Sequence, residues 1–382
     1  MPATVVDLTQ TDDLRDVVHR VVQALAEGQV IAVPTETVYG LAARALDPQA
    51  VDRLLEIKGR RSGHPLALAV KDFAEAYDYV PNAPPLFRRL ARRCWPGPLT
   101  MVCEYGNSRS LVTQLDPRVQ VAVAPGPTLG FRVPAHEVVL DILQLTVGPL
   151  VLTSANPTGT PDAISGQQVI EAFGNQVDLI LDGGRTRYGQ PSTVLMVEPS
   201  QLRVLREGVV SVSALKHLAS LVVLLVCTGN TCRSPMAEVL MKQMFAERLG
   251  VSLEELPAHG VTVQSGGLAA GPGAPASGPA VEVMAKRGLD LSRHTSQPVT
   301  ESLLSGADLI LTMTQQHRQT LLAHRPDLAD RIFTLCRDGA DISDPIGGPL
   351  EQYQACAAQI ETELKHWVEK LDEEMIRFEV VS

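Results

Sequence analysis

Cys227 and Arg233 stand six positions apart in "VCTGNTCRSPMAE", inside a chain of 382 residues. That spacing suits one kind of chemistry. A loop containing Gly229 can turn successive backbone N–H groups inward and make a nest for a phosphate. The planar fork of Arg233 can hold two phosphate oxygens at once, which a lysine cannot do. A cysteine at a helix N-terminus, facing an arginine, is favoured as the thiolate, and Ser234 can donate a hydrogen bond to it. A thiolate beneath a bound phosphate is placed for in-line attack on phosphorus. The leaving group then needs a proton, and "DISDPIGG" offers Asp344, before Pro345 on a Gly-flanked loop; it can later activate water. Each half of this pattern is common alone: a buried Cys after a strand is usually core, and Asp-Pro is often only a turn.

The first half of the chain carries a different inventory. "VPTETVYGLAA" places hydroxyls and one carboxylate, including Thr37, directly after an apolar run. Lys58 and Arg60 in "IKGRRSGHPL" fall on one side of an extended chain, where both could meet a polyphosphate. Ser154 and Asn156 in "LTSANPTG" share a side in the same way, and Arg132, Ser192, Thr193 and Arg206 follow in "FRVPAH", "GQPSTVL" and "VLREG". Read as a plain strand, "TETVY" would continue to Leu41 and alternate across a sheet face.

These residues need strands and helices to aim them. Leu221–Val226 is a short Val-rich apolar run, hence a buried strand ending on Cys227. Ser234 and Pro235 read as the cap and first residue of a helix that Gly250 stops. The loop between Cys227 and Arg233 therefore joins the carboxyl end of a strand to a helix N-terminus, where open α/β sheets bind anions. Residues 11–27 read as an amphipathic helix capped by Thr11, with Val17, Val18, Val21 and Leu25 on one face. Apolar runs then alternate with helical ones through "VIAVP", "LALAV", "LTMVCEY", "GPLVLTS" and "VDLILDGG", which says α/β. The expected organisation is a first domain over 1–210, a linker over 211–220 and a second domain over 221–382. "GGLAAGPGAPASGPA" (266–280) reads as an active-site loop rather than a boundary.

Composition narrows the function classes. The net charge of −10 opposes a general nucleic-acid coat, and its distribution is uneven. Residues 1–208 hold 19 Lys+Arg against 22 Asp+Glu, and the remainder 14 against 21, so any RNA contact belongs to the first half. "RRLARR" (88–93) is the best support for such a contact, through Arg88 with Arg92 and Arg89 with Arg93. Six scattered cysteines suit a reducing compartment, no His/Cys cluster has zinc spacing, and no apolar stretch reaches the length of a membrane span. A cytoplasmic protein with no membrane partner and no metal site is expected.

Two resemblances follow from these motifs. "VCTGNTCRSPMAE" with the downstream "DP" resembles the low-molecular-weight protein phosphatases over about residues 221–375. By that resemblance the fold is a small doubly wound parallel sheet, Cys227 is nucleophile, Arg233 binds phosphate and Asp344 is the acid. Thr228, Gly229, Asn230, Thr231, Cys232 and Ser234 complete the phosphate loop, and the substrate is a phosphoprotein. Thr231, and the absence of aromatic residues from 246–331, resemble protein-arginine phosphatases more than phosphotyrosine phosphatases. An arsenate reductase is the third reading. Cys232 is either a reversible disulfide partner for Cys227 or a small core residue.

The ordered set PTETVYGL, KxR, WPGPLT, RxPxH, SAN, DGG, STV and LREG resembles the YrdC-type threonylcarbamoyl-adenylate synthases over about residues 8–208, with a twisted open sheet and helices. The implied reaction joins L-threonine, bicarbonate and ATP into threonylcarbamoyl-AMP and pyrophosphate. Mg²⁺ would accompany ATP, with no tightly bound cofactor. A separate transferase complex would then modify tRNA. Lys58, Arg60, Ser154, Asn156 and Arg206 would hold ATP; Thr37, Arg132 and Ser192 would hold threonine, Arg132 through the carboxylate. Arg61, His64 and Ala69 stand where family members commonly have Pro, Asn and a threonine-holding His. The rival reading of this half is a non-catalytic module that binds double-stranded RNA, tRNA or a nucleotide.

Overall fold

The computed structural model of the chain describes residues 2–59, 65–106, 109–371 and 376–381. Two compact units emerge: Met1–Leu218 together with Phe378–Ser382, and Ala219–Arg377. The second unit thus stops at Arg377, and the stretch read as a linker forms the helix Val212–Ala219.

Among the described residues the strands run in chain order as follows. The first unit contributes β1 (Thr4–Asp7), β2 (Ile31–Val33), β3 (Gly40–Arg44), β4 (Ala67–Ala69), β5 (Leu99–Glu104), β6 (Thr128–Arg132), β7 (Leu150–Ser154), β8 (Leu179–Asp182), β9 (Thr193–Val197) and β10 (Gln201–Arg206). The second unit contributes β11 (Leu221–Cys227), β12 (Val261–Gly267), β13 (Leu309–Thr312) and β14 (Ile332–Thr334). The last strand, β15 (Glu379–Val381), pairs in parallel with β10 of the first unit.

The first sheet is mixed, in the order β1-β8-β2-β3-β7-β4-β6-β5-β9-β10-β15. Side chains alternate between its two faces, and this alternation places the site. One face turns Phe131 toward the helices Phe73–Tyr79 and Pro85–Cys94, where its ring meets Tyr79 and Phe87 at 6.2 Å each. The other face carries Ala42, Ala69 and Leu150, which pack beneath the helices Leu14–Ala26 and Glu137–Leu145. Those helices cover only part of that face. Thr100, Val102, Gly130, Arg132, Val194 and Met196, farther along it, line a cavity of about 280 Å³ instead.

Two local expectations are corrected. The first helix is capped by Asp13, not Thr11: its carboxylate accepts from Arg15 N and Asp16 N, and the helix begins at Leu14. "TETVY" is not a strand. β2 ends at Val33 and β3 starts at Gly40, antiparallel to it, so residues 34–39 form the buried turn between them.

The second sheet is wholly parallel, in the order β12-β11-β13-β14. β11 is buried on both sides, as expected of a central parallel strand. Leu221, Val223, Leu225 and Cys227 join a core built with the helices Arg233–Leu249 and Leu350–Lys370. Leu224 and Val226 join the opposite core with Leu304, Leu321 and Leu328. The order reverses direction at β11, so its carboxyl end is the switch point where such sheets bind ligands.

Phe131 holds one wall of the cavity-bearing strands from behind. Phe131→Ala is expected to lower the stability of the first unit by about 3–5 kcal/mol, read as a reduced urea midpoint in equilibrium unfolding.

Candidate active sites

In the second unit the loop from Cys227 to Arg233 closes around one sulfur. Asn230 N–H donates to Cys227 Sγ at 3.2 Å, and Ser234 Oγ lies 2.9 Å from it. Asn230 Nδ2 donates to Ser234 Oγ at 2.9 Å, so the Ser234 hydroxyl proton is left for the sulfur. The helix starts at Arg233 with Cys232 at the cap position, so Ser234 is not the cap; its hydroxyl serves the sulfur instead.

Asn230 adopts φ 53°, a left-handed conformation that costs a non-glycine residue energy unless neighbours hold it. They do. Its Nδ2 also reaches Ser265 Oγ at 2.8 Å, its Oδ1 accepts from Gln297 N–H at 2.9 Å, and its carbonyl meets His294 Nε2 at 2.8 Å. Ser265 Oγ in turn donates to Glu238 at 2.6 Å. The left-handed turn is what points the Asn230 N–H inward.

Arg233 is 5% exposed and runs beneath the loop. Its Nη2 ion-pairs with Asp344 and lies 3.3 Å from Thr228 Oγ1, while Nη1 donates to Ile342 O at 3.2 Å. Arg233 and Asp344 thus meet at the loop that Cys227 opens. The "GGLAAGPGAPASGPA" stretch wraps the same loop: Leu268 N–H, Ala269 N–H and Ser277 N–H donate to Cys227, Thr228 and Thr231 carbonyls at 3.0, 2.9 and 2.8 Å. Cys232 Sγ donates to Ser277 Oγ at 3.3 Å and lies 3.6 Å from Tyr353 OH; all six cysteines are free thiols. The sequence reading missed His317, His294 and Tyr353, whose contacts with the loop cross 64 to 121 positions and leave no local pattern.

In the first unit the cavity gathers residues from seven strands and turns. Arg132, Ser154, Ser192 and Arg206 line it directly. Lys58, 4% exposed, donates to Ser154 O at 2.6 Å and to Asn156 Oδ1 at 2.8 Å, and also to Asn156 O. Asn156 Oδ1 accepts from Ser154 Oγ at 2.5 Å, so the three residues interlock. Arg206 Nη2 donates to Ser192 O at 2.9 Å, and Ser192 Oγ lies 2.9 Å from Thr100 Oγ1. Arg206 is exposed as a residue, but desolvation of its guanidinium in the cleft lowers its pKa from the ordinary arginine value, with Arg132 adding to the effect and Asp162 opposing it. Arg60, Arg61 and His64 lie outside the described residues. Ala69 packs with Leu150 under the helices and does not line the cavity.

Arg132 departs from a simple carboxylate receptor. Its Nη2 already pairs with Glu36 at 2.9 Å and donates to Thr37 Oγ1 at 2.6 Å, both partners buried. Its Nε is buried and has no hydrogen-bond partner among the described residues. Glu36 was not singled out from sequence; its other oxygen accepts from Ala135 N–H at 2.9 Å. Of the "RRLARR" patch, Arg89 is 2% exposed and so presents no charge to an RNA, which removes one of the two pairs. No helix among the described residues is long and apolar enough to cross a membrane.

Comparison with known proteins separates the two units in the same way. Residues 23–208 match the Sua5/YciO/YrdC family model, described as telomere recombination, and residues 222–377 match the model described as low molecular weight phosphotyrosine protein phosphatase. A putative threonylcarbamoyl-AMP synthase of Mycobacterium tuberculosis is 34% identical over 210 residues, 53% of this chain and 92% of that one. The protein-arginine-phosphatase of Bacillus subtilis is 38% identical over 153 residues, 39% of this chain and 95% of that one. The chain belongs to both families.

The synthase-family domain also matches a Pyrococcus abyssi threonylcarbamoyl-AMP synthase, 38% identical over 185 residues and 48% of this chain. The chain spans about half of the longer relatives it matches: 52% of that protein and 56% of its Bacillus subtilis counterpart. The solved structure of Pyrococcus abyssi Sua5 complexed with L-threonine aligns with a TM-score of 0.50 at 25% identity, covering 70% of this chain and 92% of that one.

Two histidines beside these sites predict how stability responds to acid. Burial lowers the pKa of His136 from 6.5, Glu36 and Glu137 opposing; burial and then Arg233 lower that of His317, Asp341 and Asp344 opposing. The unfolded chain then binds protons first as pH falls through about 6.5, so both contribute stability that is complete above that value and lost below it. The apparent melting temperature is expected to fall between pH 7.5 and 5.5. The double variant His136→Gln/His317→Gln should show a shallower fall in the same scan.

Proposed function

We propose that the synthase-family domain makes threonylcarbamoyl-AMP from L-threonine, bicarbonate and ATP. The observation that carries this is one cavity lined by Arg132, by Arg206 and by Ser154, which Lys58 and Asn156 hold through hydrogen bonds. Lys58, Ser154, Asn156 and Arg206, with Arg60, would meet the nucleotide and its phosphates. Arg132, steadied by Glu36 and Thr37, would offer its guanidinium to the threonine carboxylate, with Ser192 lining the same cavity. No side-chain nucleophile is required. Positioning the reactants, and cationic stabilisation of the departing pyrophosphate, supply the rate. Mg²⁺ would enter with ATP: no group of three or more His, Cys, Asp or Glu converges among the described residues, so its ligands would be phosphate oxygens and water. The likeness to a protein solved with L-threonine supports the amino-acid half of this reading. The product would pass to a separate tRNA-modifying transferase.

For the phosphatase-family domain we propose hydrolysis of phosphoprotein by Cys227. The sulfur attacks phosphorus in line, the S–P bond forms as the bond to the leaving atom breaks, and Asp344 gives that atom a proton. Asp344 must leave Arg233 to do so, and the phosphate takes its place on the guanidinium. Water, deprotonated by Asp344, then cleaves the phosphocysteine. Phosphoarginine is the favoured substrate. Thr231 is small and hydroxylated, the exposed residues 269–275 bear no aromatic ring, and the residue after the Asp-Pro is Ile346, 69% exposed. A phosphotyrosine ring would find nothing to stack on. The buried thiols of Cys336 and Cys356, pushed up to about 11 and about 12, weigh against an arsenate reductase relay.

Pyrophosphate release by the Cys227→Ser protein should require threonine, bicarbonate and ATP together, and Arg206→Ala should slow it by about 10²–10³-fold. Release independent of threonine would defeat the synthase reading. Asp344→Asn should lower phosphatase kcat by about 10²–10⁴-fold. Thr231→Ile should shift kcat/KM from phosphoarginine peptides toward phosphotyrosine peptides; an unchanged ratio would remove the basis for the substrate assignment.

A further inference from the structure

Thr228, the first residue after the nucleophile, touches two groups that the mechanism above does not connect. Its Oγ1 lies 3.3 Å from Arg233 Nη2, the nitrogen that also holds Asp344, and 2.9 Å from His317 Nε2. His317 is 8% exposed, and its other ring nitrogen lies 2.9 Å from Thr314 Oγ1. Thr314 caps the helix Gln315–His324, its Oγ1 accepting the His317 backbone N–H at 3.2 Å. Both ring nitrogens are therefore engaged by hydroxyls. The groups facing the ring are Arg233 from the cradle helix and Asp341 and Asp344 from the loop before the last long helix.

Two proton arrangements satisfy these distances, and they differ in what they offer a ligand. Arg233 can only donate, so one lone pair of Thr228 Oγ1 is always taken. If His317 Nε2 accepts, the Thr228 proton turns toward the ring and its remaining lone pair faces the open cradle, where it would repel a phosphate. If Nε2–H donates, both lone pairs are occupied and the Thr228 proton is free for an anion. Thr314 can support the second arrangement, because its own hydroxyl proton is available for Nδ1. A bound phosphate selects it.

Resting on the phosphatase reading, we propose that His317 is a positioning residue that acts through Thr228. Held as the Nε2–H tautomer, it turns the Thr228 hydroxyl into one more hydrogen-bond donor for the phosphate. The cradle then binds phosphate with a side-chain donor besides its backbone N–H groups and Arg233, set from a helix more than eighty residues away in sequence.

The test uses the full chain and inorganic phosphate as probe, with binding measured by calorimetry at pH 7.5 and p-nitrophenyl phosphate turnover measured in parallel. Thr228→Val and His317→Ala should each weaken phosphate binding about ten-fold or more, the scale of one hydrogen bond to a charged group, and lower kcat/KM alongside. The double variant should be no weaker than the worse single one, because both remove the same interaction. His317→Gln, whose amide can still donate, should recover most of the loss. Full additivity in the double variant, normal binding by His317→Ala, or failure of His317→Gln to recover would each overturn the proposal. Should His317→Ala not fold, Thr228→Val and His317→Gln decide it alone. Phosphate binding with the expected variant pattern but no turnover would refute the hydrolase reading and keep this one; turnover without the pattern would do the reverse.

Discussion

Arg132 and Arg233 are 6% and 5% exposed, and a guanidinium cannot shed its charge to suit such burial. Each unit is arranged around that fact. Arg132 is met by Glu36 and Thr37 from the turn between β2 and β3, which is why that turn can be polar and still lie inside. Arg233 is met by Asp344, Thr228 and the Ile342 carbonyl, contributed by segments more than a hundred residues apart in the chain. In both cases the charge is balanced without being fully used. Arg132 keeps an unpartnered Nε, and the carboxylate that holds Arg233 is itself 39% exposed. Breaking the Arg132–Glu36 pair, buried on both sides, is costly, so Glu36 is part of that site.

The two sheets solve the positioning problem differently. In the parallel sheet one junction suffices: the carboxyl end of β11 delivers Cys227, the loop and the helix N-terminus within eight residues. Alternation along β11 buries every side chain up to Cys227 in one of two cores, so the strand cannot slip without exposing apolar residues. The mixed sheet has no such junction. Its site is the part of one face that two helices leave uncovered, and its residues arrive from β3, β4, β5, β6, β7, β9 and β10.

This difference explains what could be read before any coordinates. The phosphate cradle was legible because its members are neighbours and each has a distinctive donor or charge. Ser234 lies within hydrogen-bond reach of the sulfur, but it is not the helix cap, because the helix already begins at Arg233 and places it inside the first turn. The first helix was placed correctly, yet its cap was misjudged by two positions because Thr11 and Asp13 both carry cap chemistry. Glu36 lies in "VPTETVYGLAA" with nothing local to mark it. A lone carboxylate among threonines carries no signal until the arginine 96 positions away is seen to meet it.

By itself the sequence determined the division into two α/β halves, the strand–loop–helix that aims Cys227, and the family resemblance of each half. These follow from local periodicity, turn chemistry and contiguous motifs. Tertiary structure alone decided that "TETVY" is a buried turn, that Arg89 is interior, that Asn230 is locked left-handed, and that β15 closes the edge of the first sheet after the chain has built the second. Each depends on partners distant in sequence. Hydrogen bonds and burial act through space, and residue order does not record which distant groups will meet.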